Sequence, residues 1–228
     1  MFTVSTAAED TALTTLAAVK LELGISGTAE DAYLEQKIEQ ITDMVCGYLR
    51  VARAADGTRT LARETLIETF RVDRAGRLRE PQYAGDACRP PRRSLRLARR
   101  PVTTVTTVVE GGTTLTDGSF EVTPAGVLTR LSSGSQIEWC NTTVVVTYQA
   151  GWLMPDDAER NLPADLEAAA IAMIKAARFI RDRDPTLRKE SFLQRDYEYE
   201  VFEDKTGAGF FVGAVKATLD RYRPIMVG

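Results

Sequence analysis

The sequence predicts an α+β chain, a small antiparallel helical bundle with an inserted antiparallel β-sheet or sandwich region. Three observations carry this expectation. Apolar residues recur at helical spacing near both ends, β-branched runs broken by glycine turns fill the middle, and helical spacing returns abruptly at Pro163. The implied division is 1–54 for the N-terminal helices of the bundle and 55–160 for a β-rich insertion with a long loop. Residues 161–228 then supply a long central helix, an acidic strand-like segment, a C-terminal helix and a tail.

A first helix is expected from Leu13 to Gly24, with Thr14 or Thr15 as cap and Gly24 as the left-handed stop. Thr28 offers the next cap, with Asp31 three residues on. From there to about Val51, Leu34, Ile38, Ile41, Val45, Tyr48 and Leu49 keep helical spacing, while Glu35, Lys37, Glu39 and Asp43 fall mostly on the other side. Thr65 to Val72 has the composition of a strand. Asp73 to Pro91 is rich in Arg, Gly and Pro without any period, and reads as a long irregular loop. Val102, Val105 and Val108, with the threonines between them, make a strand that ends at the hairpin signal Gly111-Gly112. Short strands follow around Phe120–Val122 and Val127–Leu131, and Thr142–Tyr148 is the plainest of all.

Leu162 to Ile180 is the stretch around which the bundle is organised. Pro163 suits a first helical turn, Asp165 and Glu167 sit near the positive end of the dipole, and Lys175, Arg178 and Arg181 gather near the negative end. Leu166, Ala169, Ala170, Met173, Ile174, Ala177 and Ile180 share a face, and the apolar Ile171, Ala172 and Phe179 lie off it, so more than one packing neighbour is expected. Pro185 stops the helix. Lys189 to Asp204 alternates Tyr197, Tyr199 and Val201 with Glu198 and Glu200, which is strand-like with one polar face. A last helix is expected over Phe211–Arg223, and Pro224 leaves Ile225, Met226, Val227 and Gly228 as an apolar tail.

Composition excludes several functions. Lys and Arg number 29 against 32 Asp and Glu, a net charge of -3, so the molecule is no polyanion binder by overall charge. No apolar run is long enough to span a bilayer, and MFTVSTAAED lacks the layout of a signal peptide. A cytosolic site of assembly without membrane contact is the expectation. Cys46, Cys88 and Cys140 are odd in number with no CxxC, and are expected as reduced thiols. Histidine is absent, which removes the commonest general base and transition-metal ligand, and with them the usual Ser–His or Cys–His triad. Gly111-Gly112 lacks the lysine and helix of a phosphate-cradling loop. Asp156, Asp157 and Glu159 are the nearest approach to a carboxylate site, yet adjacent acids before a helix are ordinarily solvated. Asp182, Asp184 and Glu190, interleaved with Arg181 and Arg183, read as surface ion pairs, and Trp139 and Trp152 as core or interface packing. No catalytic residue, metal ligand or cofactor follows.

The strongest polar feature is RPPRRSLRLARR, which holds Arg89, Arg92, Arg93, Arg96, Arg99 and Arg100. Contact with DNA phosphates, docking on acidic surfaces of neighbouring subunits and a solvated loop are three open readings. The overall acidity favours subunit or partner contacts over DNA.

Four stretches in this order resemble the head–tail connector, or adaptor, proteins of long-tailed bacteriophages and gene transfer agents. They are LTTLAAVKLELGI with AEDAYLEQKIEQITDMVCGYL, LARRPVTTVTTVVEGGTTL, VTYQAGW with LPADLEAAAIAMIKAARF, and ESFLQRDYEYE with AVKATLDRYRPI. The segment between Leu49 and Leu95 is longer than a minimal member needs. The resemblance implies a structural, non-enzymatic virion protein forming a ring, generally a dodecamer, under the portal. It implies the portal protein on one side, the next tail-side connector or tail-completion protein on the other, and a channel through which DNA passes without specific binding. Such a protein would reside in the virion neck between capsid and tail, after assembly in the host cytoplasm, with no cofactor. Within it, the six arginines, Tyr197, Tyr199, Ile225, Met226 and Val227 are the expected partner or subunit contacts. Two readings from other classes stand beside it: a small nucleic-acid-binding module led by the arginine run, and a carboxylate-based hydrolase using Asp156, Asp157 or Glu159.

Overall fold

A computed structural model describes residues 2–72, 94–139, 143–181, 189–192, 195–198 and 213–223. In chain order the first elements are β1 (Phe2–Thr6), α1 (Leu16–Leu23), α2 (Asp31–Tyr48), β2 (Glu64–Arg71), β3 (Ser94–Arg96), β4 (Val102–Glu110) and β5 (Thr113–Thr114). They are followed by β6 (Phe120–Val122), β7 (Val127–Ser132), β8 (Ser135–Ile137), β9 (Thr143–Ala150), α3 (Ala164–Arg181), β10 (Lys189–Phe192), β11 (Arg195–Glu198) and α4 (Gly213–Tyr222). The fold is mixed α+β with antiparallel sheets, and it divides into two compact units. Met1–Thr11 joins Val51–Leu153 in a β unit, and Ala12–Arg50 joins Met154–Gly228 in a helical unit.

The β unit is built on strict alternation. Glu64, Leu66, Glu68 and Phe70 of β2 point inward, as do Val144, Val146, Tyr148 and Ala150 of β9. The two strands pair antiparallel with Leu66 opposite Tyr148 and Glu68 opposite Val146, inside a five-stranded sheet of order β1-β2-β9-β4-β5. A second sheet runs β3-β7-β6, with β8 also paired to β7. Leu95 and Leu128 of this sheet meet Leu66, Phe70, Val108, Val144 and Val146 of the first in one core that also holds Trp139. Each fully buried Leu or Val contributes about 1.5–3 kcal/mol of transfer free energy. Gly111 and Gly112, both at positive φ, form the two-residue turn from β4 to β5 that their sequence predicts.

The expectation that 1–54 belongs to the helices needs correction at both ends. Phe2–Thr6 is a strand paired with β2, and Ala54 lies in the β core. A five-residue strand completed by a partner one helix pair later carries too little local signal to be read alone. Strand β8 was likewise not expected; it follows from the turn at Ser133 and Gly134, both at positive φ.

In the helical unit α3 packs against α1, α2 and α4. Leu166, Ala169, Ala170, Met173, Ile174 and Ala177 form its buried stripe, matching the sequence period. The expectation of more than one neighbour is met, although the off-stripe residues contribute little to it: Ile171 is half-buried, but Ala172 is exposed and Phe179 is 58% exposed. Leu34, Ile38, Ile41 and Val45 are the buried face of α2. Thr15 caps α1 by accepting from the Ala18 N–H at 3.1 Å, and Gly24 closes it in the left-handed conformation. Thr28 does not cap α2: the helix begins at Asp31, and the capping position falls to Glu30, whose carboxylate is bound to arginines of α3. Val215 and Leu219 bury α4.

The single strand-like segment expected over Lys189–Asp204 is an antiparallel pair, β10 with β11, over its described part. Cys46 is a buried thiol on α2, while Cys88 and Cys140 lie outside the described residues. No helix among the described residues is long and apolar enough to cross a membrane.

Candidate interaction surfaces

The second half of the arginine run begins on β3, where alternation sends Leu95 into the core and leaves Arg96 exposed. Leu97 is buried next, and its N–H donates to the Gly126 carbonyl at 2.8 Å. The chain then crosses the inner face of the five-stranded sheet and is fastened to it by side chains that point up from β2 and β9. The Ala98 N–H donates to Glu68 Oε2 at 2.9 Å, and the Tyr148 hydroxyl donates to the same oxygen at 3.0 Å. The Tyr148 hydroxyl in turn accepts from the Arg99 N–H at 3.4 Å. Burial first, against these two hydrogen bonds, pushes the Glu68 carboxyl above the usual range. Burial also raises Tyr148, with the Glu68 charge adding to it.

Arg99 itself is only 4% exposed. Its guanidinium donates to the Thr60 carbonyl, lies 3.6 Å from a Glu64 carboxylate oxygen and sits 5.7 Å over the Phe2 ring. Burial raises the Glu64 carboxyl, and the Arg99 charge opposes that rise. One of the six arginines expected at a partner surface is therefore an internal strut. Sequence reasoning missed Glu64, Glu68 and Tyr148 as its companions, although alternation through TLIETFRV already places Glu68 on the same face as Leu66 and Phe70.

Arg96 and Arg100 behave differently. The stem of Arg100 lies over Gly126, where an added Cβ would stand 3.1 Å from Arg100 Cγ. Burial and the nearby positive charge of Arg96 both push the Arg100 guanidinium below its ordinary value. Neither arginine forms an ion pair among the described residues. Arg89, Arg92 and Arg93, expected at the same surface, lie outside the described residues, as do Tyr199, Ile225, Met226 and Val227. Tyr197 is in β11, opposite Glu190.

The helical unit carries most of its charges outside, with Glu167 of α3 the buried exception among the described residues. Glu30 accepts two hydrogen bonds from Arg178, each 3.0 Å, and one from Arg181 at 3.4 Å, which lowers its pKa, the Arg178 hydrogen bond first. Lys20 meets Asp31 at 2.7 Å, and Lys175 meets Glu22 at 3.3 Å. Helix α4 is tied down by two tyrosines: Tyr48 donates to Asp220 at 2.5 Å, and Tyr222 donates to Asp165 at 2.6 Å. Burial, then that hydrogen bond, pushes Tyr222 up to about 12. On α2, Glu35, Glu39 and Asp43 are all exposed at four-residue steps, so they form one acidic face.

Asp156, Asp157 and Glu159 do not assemble into a site. The Asp157 carboxylate accepts the Glu159 N–H at 2.8 Å, and backbone bonds from Asp157 to Met154 and from Arg160 to Asp157 complete an exposed turn ahead of α3. Among the described residues no group of three Cys, Asp or Glu side chains converges to hold a metal ion.

No protein-family profile matches the chain, and no curated protein sequence matches it either. Solved structures do. A chain in the neck of an empty GTA particle, computed with C6 symmetry, is 19% identical with a TM-score of 0.54. A chain in the virion of a native gene transfer agent (GTA) particle is 18% identical with a TM-score of 0.55, and one in the neck of a native particle, computed with C12 symmetry, is 18% identical at 0.51. Each match covers 100% of this chain and 97% of the other. The fold is that of these gene transfer agent chains, from one end to the other.

Proposed function

We propose that this chain is a structural neck protein of a phage-like particle, a head–tail connector that forms a ring under the portal. The observation that carries the reading is the end-to-end likeness to neck chains, which takes in both units and not one shared module. A ring of twelve copies accords with the C12 symmetry used for one of those necks. Identical wedges with complementary flanks close a ring when the rotation between copies is right. The portal protein is the partner on one side, and a tail-side connector or tail-completion protein the partner on the other. The apolar sequence Ile225-Met226-Val227 is the attachment segment, since residues of this kind gain main-chain hydrogen bonds and side-chain pockets on a partner's sheet edge. DNA passes through the channel, and the net charge of -3 suits a lining that does not grip it. This role asks for no catalysis.

Electron microscopy of the purified protein, alone and mixed with its portal, tests the reading. Rings that cap the portal are expected. A protein that neither forms rings nor binds the portal, yet binds duplex DNA with a steep salt dependence, overturns it in favour of a nucleic-acid module.

A further inference from the structure

Among the described residues, two surfaces of opposite sign carry side chains that no described residue pairs. On the β unit, Arg96 is exposed and Arg100 half-buried, and neither has a carboxylate partner among the described residues. Strand β3, which carries Arg96, is at the edge of its sheet. In the sequence Arg89, Arg92 and Arg93 come just before it. On the helical unit, Glu35 and Glu39 stand one turn apart on α2, with Asp43 a further turn on, all exposed. Neither Glu35 nor Glu39 is in an ion pair among the described residues. Other acids of the helices in this unit are met by bases: Asp31 by Lys20, Glu22 by Lys175, Glu30 by Arg178, Asp220 by Lys216 and Asp165 by Arg221. Like charges at four-residue steps weaken a helix on its own, and adjacent guanidiniums repel in the same way.

We propose that the Arg96–Arg100 edge of one copy receives the Glu35–Glu39 face of α2 from the next copy. The inference rests on the ring reading and gives that ring a contact. The two surfaces are different patches of one chain, so the contact is heterologous, and heterologous contacts repeated between copies are what close a ring. Each copy brings one such edge and one such face, so in a closed ring every edge meets a face. DNA would answer the arginines alone and leave the acidic face as it was. Guanidinium forks take carboxylates in pairs, and acids rising about 5.4 Å per turn along α2 present such pairs in a row.

A charge swap followed by sedimentation over rising protein concentration tests this. Arg96→Glu and Glu39→Lys, each alone, are expected to weaken self-association about tenfold or more, because each sets like charges against each other. The two together in one chain should recover most of the loss. Both residues are exposed, and circular dichroism checks that the folds are kept; Arg96→Gln and Glu39→Gln, which remove charge without reversing it, should show smaller losses in the same order. Wild-type rings that both reversals leave intact, or losses that the double swap does not recover, overturn this contact and leave the ring standing. A wild-type protein that stays monomeric both alone and with the portal overturns the ring reading beneath it. Loss of duplex DNA retention in Arg96→Glu, with assembly unchanged, assigns the edge to DNA instead.

Discussion

In the β unit one set of ionisable groups is on the inside. Glu68 and Tyr148 hold the backbone of Ala98 and Arg99, and Arg99 sits against Glu64 and Thr60 beneath the same surface. In the helical unit they are on the outside, where Glu30, Glu22 and Asp220 clip one helix to another over an apolar stripe that needs no help from charge. Inside, each polar atom must find its partner or be left at full desolvation cost. Outside, water stands ready to replace any partner that is lost. Interactions that look alike on paper therefore differ in what their removal does, and the two units should answer acid in opposite directions.

The largest effect is expected where the β unit allows no side chain at all. Gly151 has φ of +109, and a Cβ there would lie 2.2 Å from the Ala62 carbonyl oxygen, with backbone on both sides of the contact. Gly151→Ala should cost roughly 3 kcal/mol or more, read by denaturant unfolding followed through tryptophan fluorescence. Both tryptophans, Trp139 and Trp152, belong to the β unit, so that signal reports it selectively. A loss below that of an ordinary surface change would mean that the Ala62 strand shifts freely.

Next comes the fastening of Ala98 and Arg99. Glu68→Ala strands the Tyr148 hydroxyl and the Ala98 N–H in a dry site and should cost about 2–4 kcal/mol by the same measurement. Glu68→Gln keeps an acceptor and should cost less near neutral pH.

Titration sharpens the contrast. The folded pKa of Glu68 is raised, so its contribution to stability is fully present below the ordinary value of 4.5 and is lost as pH climbs through the raised one. Glu68→Gln should flatten that decline in the fluorescence-detected melt. Glu30 and Asp220 have lowered folded values, so their contributions are present above the ordinary 4.5 and 3.8 and are lost as pH falls through the folded ones. Acid should thus loosen the helices, seen by far-ultraviolet circular dichroism, under conditions that relieve the β unit. Coincident acid transitions by both signals would contradict the comparison.

The smallest effects belong to the surface clips. Arg178→Ala should lower the helical melt slightly, and the loss should shrink further in high salt, because an exposed pair is screened. Tyr48→Phe, which removes one hydrogen bond to an exposed Asp220, should be smaller still.

The helices were legible because their period is carried by many residues: the α3 stripe from Leu166 to Ala177 is buried as its spacing predicts. Strands β4 and β9 were legible by their β-branched composition and the Gly111-Gly112 turn, and β2 by its β-forming residues alone. Phe2–Thr6 was not, since its strand exists only through pairing with β2. The arginine run looked uniform because sequence gives charge but not depth. Only the fold shows that Arg99 faces Glu64 while Arg96 and Arg100 face no carboxylate of the described chain. Glu68 and Tyr148 meet across the sheet from distant strands, and nothing local in either stretch announces the other.

The chain passes between the two units three times, at residues 11–12, 50–51 and 153–154. A ribosome making this protein therefore finishes neither unit early. Strand β1 emerges first and waits for β2, and α2 ends at Tyr48 while α3 begins only at Ala164. Through most of synthesis the apolar faces of α1 and α2 have no third helix to cover them, and contacts this distant form slowly. Newly made chains should depend on chaperones until α3 has been made, and a chain cut before Ala164 should give insoluble product and not a folded β unit with a short tail.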